Sequence, residues 1–350
     1  MTFKNYRNQT LRIYLHNQIA AKSPGHNLSF EITSGPAGAR IQNDTLIWAR
    51  PHNDIQTKAV QITATDSWAI EPRSGIGNFT INADMTEPAG MRFIPSKDTT
   101  FQMGSWWTVN SEYMNPHDAR LTYDFFIDTT EITQQHFEKY FPINPSSVKN
   151  PLMPVTDISW FAAALFCNKR SAAEGLEVVY EYDQILGSVA DSCKMVNLTI
   201  HYDRDGYRLP VEAEWEFAYR ARSSNDYYWS HNFYNGYPTT QERSTIETYE
   251  YWEGIHMNSQ QSIVASKLPN NFGLYDMAAN VGEIINDYYN YSYGTIDLID
   301  PKGPVTGTDR TMRFGNYSEY PVWLTAWAHF PISPTSTNSI RGFRCMRVRR

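Results

Sequence analysis

Gly206-Tyr-Arg-Leu-Pro-Val-Glu-Ala-Glu-Trp-Glu-Phe217 is the stretch on which the reading of this chain turns. Pro210 suits the start of a helix, where its missing N–H costs nothing. Beyond it Val211, Trp215, Ala218 and Tyr219 fall at i, i+4, i+7 and i+8, the spacing of one buried helical face. Glu212, Glu214 and Glu216 scatter over the remaining surface. Carboxylates at a helix start complement its dipole, and one can pair with Arg208 or Arg220; acid–base machinery is the rarer use of such a cluster. Just upstream, Asp203-Arg-Asp205-Gly206 opens like a calcium loop but lacks the later ligands and the glutamate at the twelfth position, so it reads as a turn into the helix.

Outward from this helix, two more are expected. Thr133 can cap a short one from Gln134 to about Tyr140, and Ser159 one from Trp160 to Glu174, stopped by Gly175. Cys167 lies on the broad apolar face of the latter and points inward, as a buried small hydrophobe rather than a reactive thiol. Met91–Ile94, Phe101–Met103 and Tyr123–Ile127 read as strands. Before them the character changes. Leu11–Leu15, Leu28–Ile32, Thr45–Trp48, Ala59–Thr63 and Phe79–Ile81 are short alternating runs broken by Gly35-Pro36, Asn43-Asp44 and Pro51-His-Asn-Asp54, the pattern of a small all-β sandwich. The polar, turn-rich Asp84–Gly90 separates a sandwich over residues 1–86, which an upstream strand could complete, from a second domain over 90–350.

Composition narrows the function. A formal net charge of -7 and the absence of any Lys/Arg-rich run argue against nucleic acid and against an anionic membrane surface. Trp160 to Cys167 is the longest apolar run, far short of the ~20 residues that span a bilayer, so no direct membrane insertion is expected. The first residues, Met1-Thr-Phe-Lys-Asn-Tyr6, carry no apolar signal core. The location expected is periplasmic, cell-surface or secreted, with any signal segment lying outside this chain. Cys167, Cys193 and Cys345 show no zinc spacing and permit one disulfide at most. The chain's 23 Tyr and 10 Trp suit a binding surface, and equally a loop-rich core.

Six segments now stand in order: Phe101-Gln-Met-Gly-Ser105; Asp124-Phe-Phe-Ile-Asp-Thr-Thr-Glu-Ile-Thr133; Pro154-Val-Thr-Asp-Ile-Ser-Trp160 with Phe166-Cys-Asn168; the Gly206–Phe217 stretch; Asn271-Phe-Gly-Leu-Tyr-Asp-Met-Ala-Ala-Asn-Val-Gly-Glu283; and Arg341-Gly-Phe-Arg-Cys-Met-Arg347. Together they resemble the formylglycine-generating, or sulfatase-modifying, family from about residue 90 to the end. The resemblance implies an irregular α+β domain related to the C-type lectin fold, with bound structural calcium. Val211 stands where the family often has Thr, which removes one half of a capping box with Glu214 and implies a weaker helix start. Positions matching one calcium site are the side chains of Asp276 and Glu283 and the carbonyls of Ala279 and Val281, while Asn258 and Ser259 match part of a second. The first region is similar to bacterial cadherin-like or immunoglobulin-like modules, carried by Leu28-Ser-Phe30, Gly35-Pro-Ala-Gly38, Leu46-Ile-Trp48 and Ile62-Thr-Ala-Thr-Asp66.

The family's oxidation of a substrate cysteine uses two cysteines after an Arg-x-x-Arg-Gly-Gly-Ser-aromatic stretch, where soft thiolates suit Cu(I). Here the stretch reads Arg310-Thr-Met-Arg-Phe-Gly-Asn-Tyr317, and the two positions fall at Glu319 and Leu324. Neither side chain supplies soft sulfur, so no copper is expected. A related branch holds iron with histidines of an extra helical domain, and the nine histidines here form no such cluster. In place of the cysteines stands an aromatic segment, Tyr317, Tyr320, Trp323, Trp327 and Phe330, with Arg313 and Glu319 nearby. Exposed, these rings would stack on a glycan or grip a protein or peptide segment; buried, they are core. The expectation is therefore a non-catalytic extracytoplasmic binding or structural module, the alternative being a divergent enzyme of this family acting on a protein or peptide.

Overall fold

The computed structural model describes residues 2–4, 10–14, 28–35, 38–42, 45–49, 58–66, 73–82, 87–105, 116–229, 239–252, 260–291, 299–313 and 315–348. The chain divides into two compact units, Met1–Ala89 and Gly90–Arg350.

The first unit holds β1 (Thr2–Lys4), β2 (Thr10–Tyr14), β3 (Leu28–Ser34), β4 (Arg40–Gln42), β5 (Thr45–Ala49), β6 (Lys58–Asp66) and β7 (Arg73–Asn82). They form two sheets, ordered β1-β7-β6-β3 and β2-β5-β4. β6 and β7 are antiparallel in unbroken register from Lys58↔Ile81 to Asp66↔Arg73, and β1 joins β7 in parallel. Leu46 and Trp48 of β5 meet Val60 and Ile62 of β6, all buried. Each pair is two residues apart, so one face of each strand enters a shared core between the sheets. β1 and β4 were not among the expected strands; three residues are too few to show an alternation.

The second unit is α+β. In chain order it contains β8 (Met91–Ile94), β9 (Thr99–Met103), β10 (His117–Leu121), β11 (Phe125–Asp128), α1 (Gln134–Glu138), α2 (Trp160–Ala173), β12 (Tyr180–Glu181), β13 (Gln184–Gly187), β14 (Cys193–Val196), β15 (Thr199–Ile200), α3 (Glu212–Arg220) and α4 (Thr240–Tyr249). It closes with β16 (Gly282–Tyr288), β17 (Arg310–Arg313), β18 (His329–Ile332), β19 (Arg341–Gly342) and β20 (Met346–Val348). β8 and β20 flank β11, so the unit's first and last strands meet on one sheet. A second sheet runs β18-β17-β16-β19, with β16 buried from Gly282 to Asp287.

Helix α2 starts where the Ser159 hydroxyl accepts from Ala162 N at 3.2 Å, and Gly175 ends it at φ +71°. Trp160 through Asn168 are all buried, so α2 is a core helix enclosed on nearly every side. Its Trp160 Nε1 donates to the Ile285 carbonyl at 2.9 Å, fastening it to β16. The Thr133 cap of α1 also forms, accepting from His136 N. Among the described residues no helix is long and apolar enough to cross a membrane.

One expectation is corrected here. Glu212, Glu214 and Glu216 lie inside, exposed by 4 %, 0 % and 0 %. Arg208 forks onto Glu214 at 2.7 and 2.6 Å, Arg220 grips Glu216 at 2.9 and 2.7 Å, and His329 Nδ1 lies 2.8 Å from Glu212. Arg313 adds a bond to Glu216 at 3.1 Å. Pairing of this kind offsets the cost of burying a carboxylate; the pairings with Arg208 and Arg220 are those the sequence suggested, while His329 and Arg313 come from distant segments that helical spacing does not reveal. The helix start is also modified: α3 begins at Glu212, and Val211 N donates to Glu214 Oε2 at 2.8 Å. That is one half of a capping box, since a valine side chain has nothing with which to accept the other bond.

Candidate functional site

The segment 315–330 leaves β17, passes through a short 3-10 turn at Pro321–Leu324 and returns as β18. Gly315, at φ +143°, lies so close to the Ala278 carbonyl that a Cβ there would collide with it. The segment is anchored from below: Tyr317 N donates to Asn280 O at 3.1 Å, Trp252 Nε1 to Glu319 O at 2.7 Å and Tyr227 OH to Pro321 O at 2.7 Å, with Tyr219 OH on Leu324 O. The aromatic stretch therefore rests on the loop 272–281 at Gly315 and Tyr317 and is held farther along by Trp252, Tyr227 and Tyr219.

The structure divides the binding candidates. Arg313, Tyr317 and Trp327 are buried, at 1 %, 9 % and 7 % exposure, and belong to the core. Arg313 spends its guanidinium on Glu216 and on the carbonyls of Ala326 and Glu212. Tyr320 and Val322 are exposed at 40 % and 38 %, and Trp323, Glu319 and Phe330 are half-buried. Trp323 and Phe330 pack edge to face at 5.0 Å. Burial pushes the Glu319 carboxyl above its ordinary range, against a bond from Asn316 Nδ2 at 3.2 Å. What faces outward is thus a small aromatic and aliphatic patch with one carboxyl group, able to stack on a flat apolar face and accept or donate one hydrogen bond.

The second candidate lies beneath. Asp276 and Asn280, both in the left-handed region at φ +55° and +61°, bend the loop 275–281 sharply. Asp276 is buried; its Oδ2 accepts from Ala265 N at 2.7 Å and its Oδ1 has no partner among the described residues. Glu131, at 1 % exposure, has no donor to either carboxyl oxygen among the described residues and stands within hydrogen-bonding reach of Asp276. Burial and the facing carboxylate push Glu131 far above the usual carboxylate range, and burial pushes Asp276 up as well. Orphaned buried oxygens in a bent loop fit a hard cation such as calcium. Glu283 is placed differently. Both its oxygens accept from Arg344 Nε at 2.8 Å, Oε1 also from Arg344 Nη2 at 2.6 Å, and Oε2 from Trp215 Nε1 at 2.8 Å. Ala279 and Val281 are buried in the same loop. Asn258 and Ser259 lie outside the described residues. No group of three or more His, Cys, Asp or Glu side chains suited to a metal ion occurs among the described residues.

All three thiols are buried. Cys167 of α2 and Cys345 are fully buried with their sulfurs 3.5 Å apart, and Cys193 lies 3.7 Å from the Ser159 hydroxyl. Two relevant groups escaped the sequence reading. Glu131 lies inside a segment quoted above, but a lone acid after a strand gives no sign of what it faces. Glu250, fully buried, accepts from Tyr228 OH, Ala278 N and Ala279 N at 2.7, 3.0 and 3.1 Å, and burial raises its carboxyl to about 8.

The family model described as the sulfatase-modifying factor enzyme 1-like domain matches residues 82–349. Among curated relatives, the chaperone protein LppX of Paenibacillus barcinonensis is 29 % identical over 204 residues, covering 54 % of this chain and 70 % of that protein. The formylglycine-generating enzyme of Streptomyces coelicolor is 32 % identical over 153 residues, 40 % of this chain and 46 % of the enzyme. Among solved structures, Treponema denticola variable protein 1 superposes with a TM-score of 0.59 at 24 % identity, over 77 % of this chain and 95 % of its own.

Proposed function

This chain belongs to the sulfatase-modifying factor enzyme 1-like family, and from that premise we propose that it is a non-catalytic recognition or structural module of that family, calcium-bound and working outside the cytoplasm. The observation that carries the reading is the substitution of the two cysteine positions. Glu319 is a half-buried carboxyl group, and Leu324 is an aliphatic side chain at 0 % exposure. Neither donor suits Cu(I), which prefers thiolates. In their place the segment offers Tyr320, Val322 and Trp323 on this support, with Glu319 beside them. Such a patch suits a glycan ring or an extended peptide, gripped by stacking and oriented by one polar group.

Calcium is the second part of the reading. Asp276 and the carbonyls of Ala279 and Val281 would hold it, and the ion would supply positive charge to a buried acidic loop. Because Gly315 and Tyr317 rest on that loop, the ion would also fix the floor of the aromatic patch. The location outside the cytoplasm rests on the likeness of residues 1–86 to extracytoplasmic modules, and cell fractionation tests it.

The direct test is mass spectrometry of a Cys-x-Pro-x-Arg peptide incubated with the protein, Cu(I) and oxygen. Recovery of the intact thiol is expected; an aldehyde product that follows the purified protein would sink the non-catalytic reading. Glycan and peptide arrays then identify the ligand, and Tyr320→Ala and Trp323→Ala should each lower retention about tenfold, the loss of one stacked ring of roughly 1.5 kcal/mol. Wild-type retention by both variants would move the binding surface elsewhere. A divergent enzyme is favoured by one observation, the raised Glu319 carboxyl beside an exposed patch, which is the disposition of a general acid. Turnover of any array ligand, abolished in Glu319→Gln, would establish it.

A further inference from the structure

Seven arginines are buried among the described residues, and six of them are answered. Arg170 meets Asp128, Arg208 meets Glu214, Arg220 and Arg313 meet Glu216, and Arg344 meets Glu283, each at 3.1 Å or closer. Arg310 lies over the rings of Trp160 and Tyr288, 4.0 and 3.7 Å from their centroids. Arg341 is the exception. It stands in β19 opposite Gly282 of β16 and is 8 % exposed. Within its guanidinium only Nη1 is bonded, to the Ser336 carbonyl and hydroxyl at 3.1 and 3.0 Å. Nε is closed from solvent with no acceptor, and Nη2 has no acceptor among the described residues either. Burial lowers the pKa of this group, and no described carboxylate acts to raise it. The loop before it, Ser333-Pro-Thr-Ser-Thr-Asn-Ser339, carries hydroxyls and one amide but no charge.

We propose that Arg341 is an anion site, whose ligand is the carboxylate of a small acid or of a peptide C-terminus. The proposal goes beyond the function given above and depends neither on the aromatic patch nor on calcium. A buried charge without a counter-ion is costly, and in this fold each other buried guanidinium has a carboxylate or aromatic rings against it. The donors left over, Nε and Nη2, belong to one edge of the planar group, and that edge matches the two oxygens of a carboxylate. Because Nη1 is pinned on Ser336, the edge is held in one orientation. Nη2 makes the first contact, and the second oxygen reaches Nε with a small shift of the side chain. Charge selects the class of anion. One guanidinium neutralises a monoanionic carboxylate, whereas a phosphate dianion would leave an unpaired negative charge in the same neutral surroundings.

The test is a thermal melt of the whole chain, with Arg341→Leu and Arg341→Lys beside it, in acetate, N-acetylglycylglycine or the C-terminal amide of that dipeptide, ionic strength being balanced with chloride. Acetate and the free-acid dipeptide should raise the wild-type melting temperature by several degrees, and the amide should not. Arg341→Leu should lose the response and, without added carboxylate, melt no lower than wild type. Arg341→Lys keeps the charge but not the planar edge, so its affinity for either acid, from titration of the shift, should fall at least tenfold. A free-acid dipeptide that binds at least tenfold tighter than acetate supports a peptide terminus as the source; equal affinities support a small acid. No response to either acid in the wild type would overturn the proposal. So would an equal response in wild type and both variants, since the effect would then belong to the solvent and not to Arg341.

Discussion

Arg344 donates to Glu283 and to the carbonyls of Asp128, Tyr275 and Asp276, so one buried guanidinium ties together segments far apart in sequence. Arg344→Met leaves the Glu283 carboxylate buried without its cation, and the loss should be about 3–5 kcal/mol, read from the urea midpoint. A change below 1 kcal/mol would mean that solvent reaches Glu283. Asp287 behaves in the opposite sense. It is buried beside Glu212, accepts from Glu212 N at 3.0 Å, and is pushed far above the ordinary carboxylate range, by burial first and then by Glu212. Its folded form therefore holds a proton that the unfolded chain releases near pH 4. Between those limits the folded state binds more protons, so stability falls as pH rises, by about 1.4 kcal/mol per unit from this group. Asp287→Asn carries no such proton, so the stability of wild type relative to this variant should decline from pH 5 to pH 7. Parallel curves would show that Asp287 is ionised in the fold. Of the pairings around Glu212, Glu214 and Glu216, those with Arg208 and Arg220 were foreseen from the nearby sequence, whereas the burial of all three acids and the approach of His329 and Arg313 were not.

Elements were read better than residues, and their starts best of all. Ser159 and Thr133 cap the helices assigned to them because a hydroxyl ahead of an apolar run is a local signal that needs no tertiary partner. Ser159→Ala should cost about 1 kcal/mol by the same reasoning. Val211 allows the converse experiment. It already sits in extended cap geometry at φ −79° and ψ 162°, and Glu214 already supplies the returning bond. Val211→Thr should complete the box and stabilise the chain by about 0.5–1 kcal/mol in chemical denaturation. Destabilisation instead would show that the hydroxyl cannot turn toward the Glu214 N–H in this buried site. Helix α4 and the pairs β12/β15 and β13/β14 were not read, because the strands are two to four residues long and α4 buries only Ile246. Elements that bury little leave little periodicity behind.

At the scale of the molecule, two units carry cores of very different size. The first is built around Leu46, Trp48, Val60 and Ile62, while the second draws on residues from Ile94 to Met346. A small core supports less stability, so calorimetry of the whole chain should show two transitions. Trp48→Ala should lower only the earlier, and Arg344→Met only the later; one transition lowered by both would mean that the units unfold together. The sequence by itself determined the α+β class, the ordered family segments, the helix caps and the inward Cys167. Each of these is written in residue identity or in spacing along one element. Only the tertiary structure decided which of the segment's aromatic rings are core, which arginine compensates which glutamate, and that Glu131 lies buried against Asp276. Those facts depend on which side chains from distant segments share a low-dielectric interior, where an unpaired charge is costly, and spacing along the chain holds no record of them.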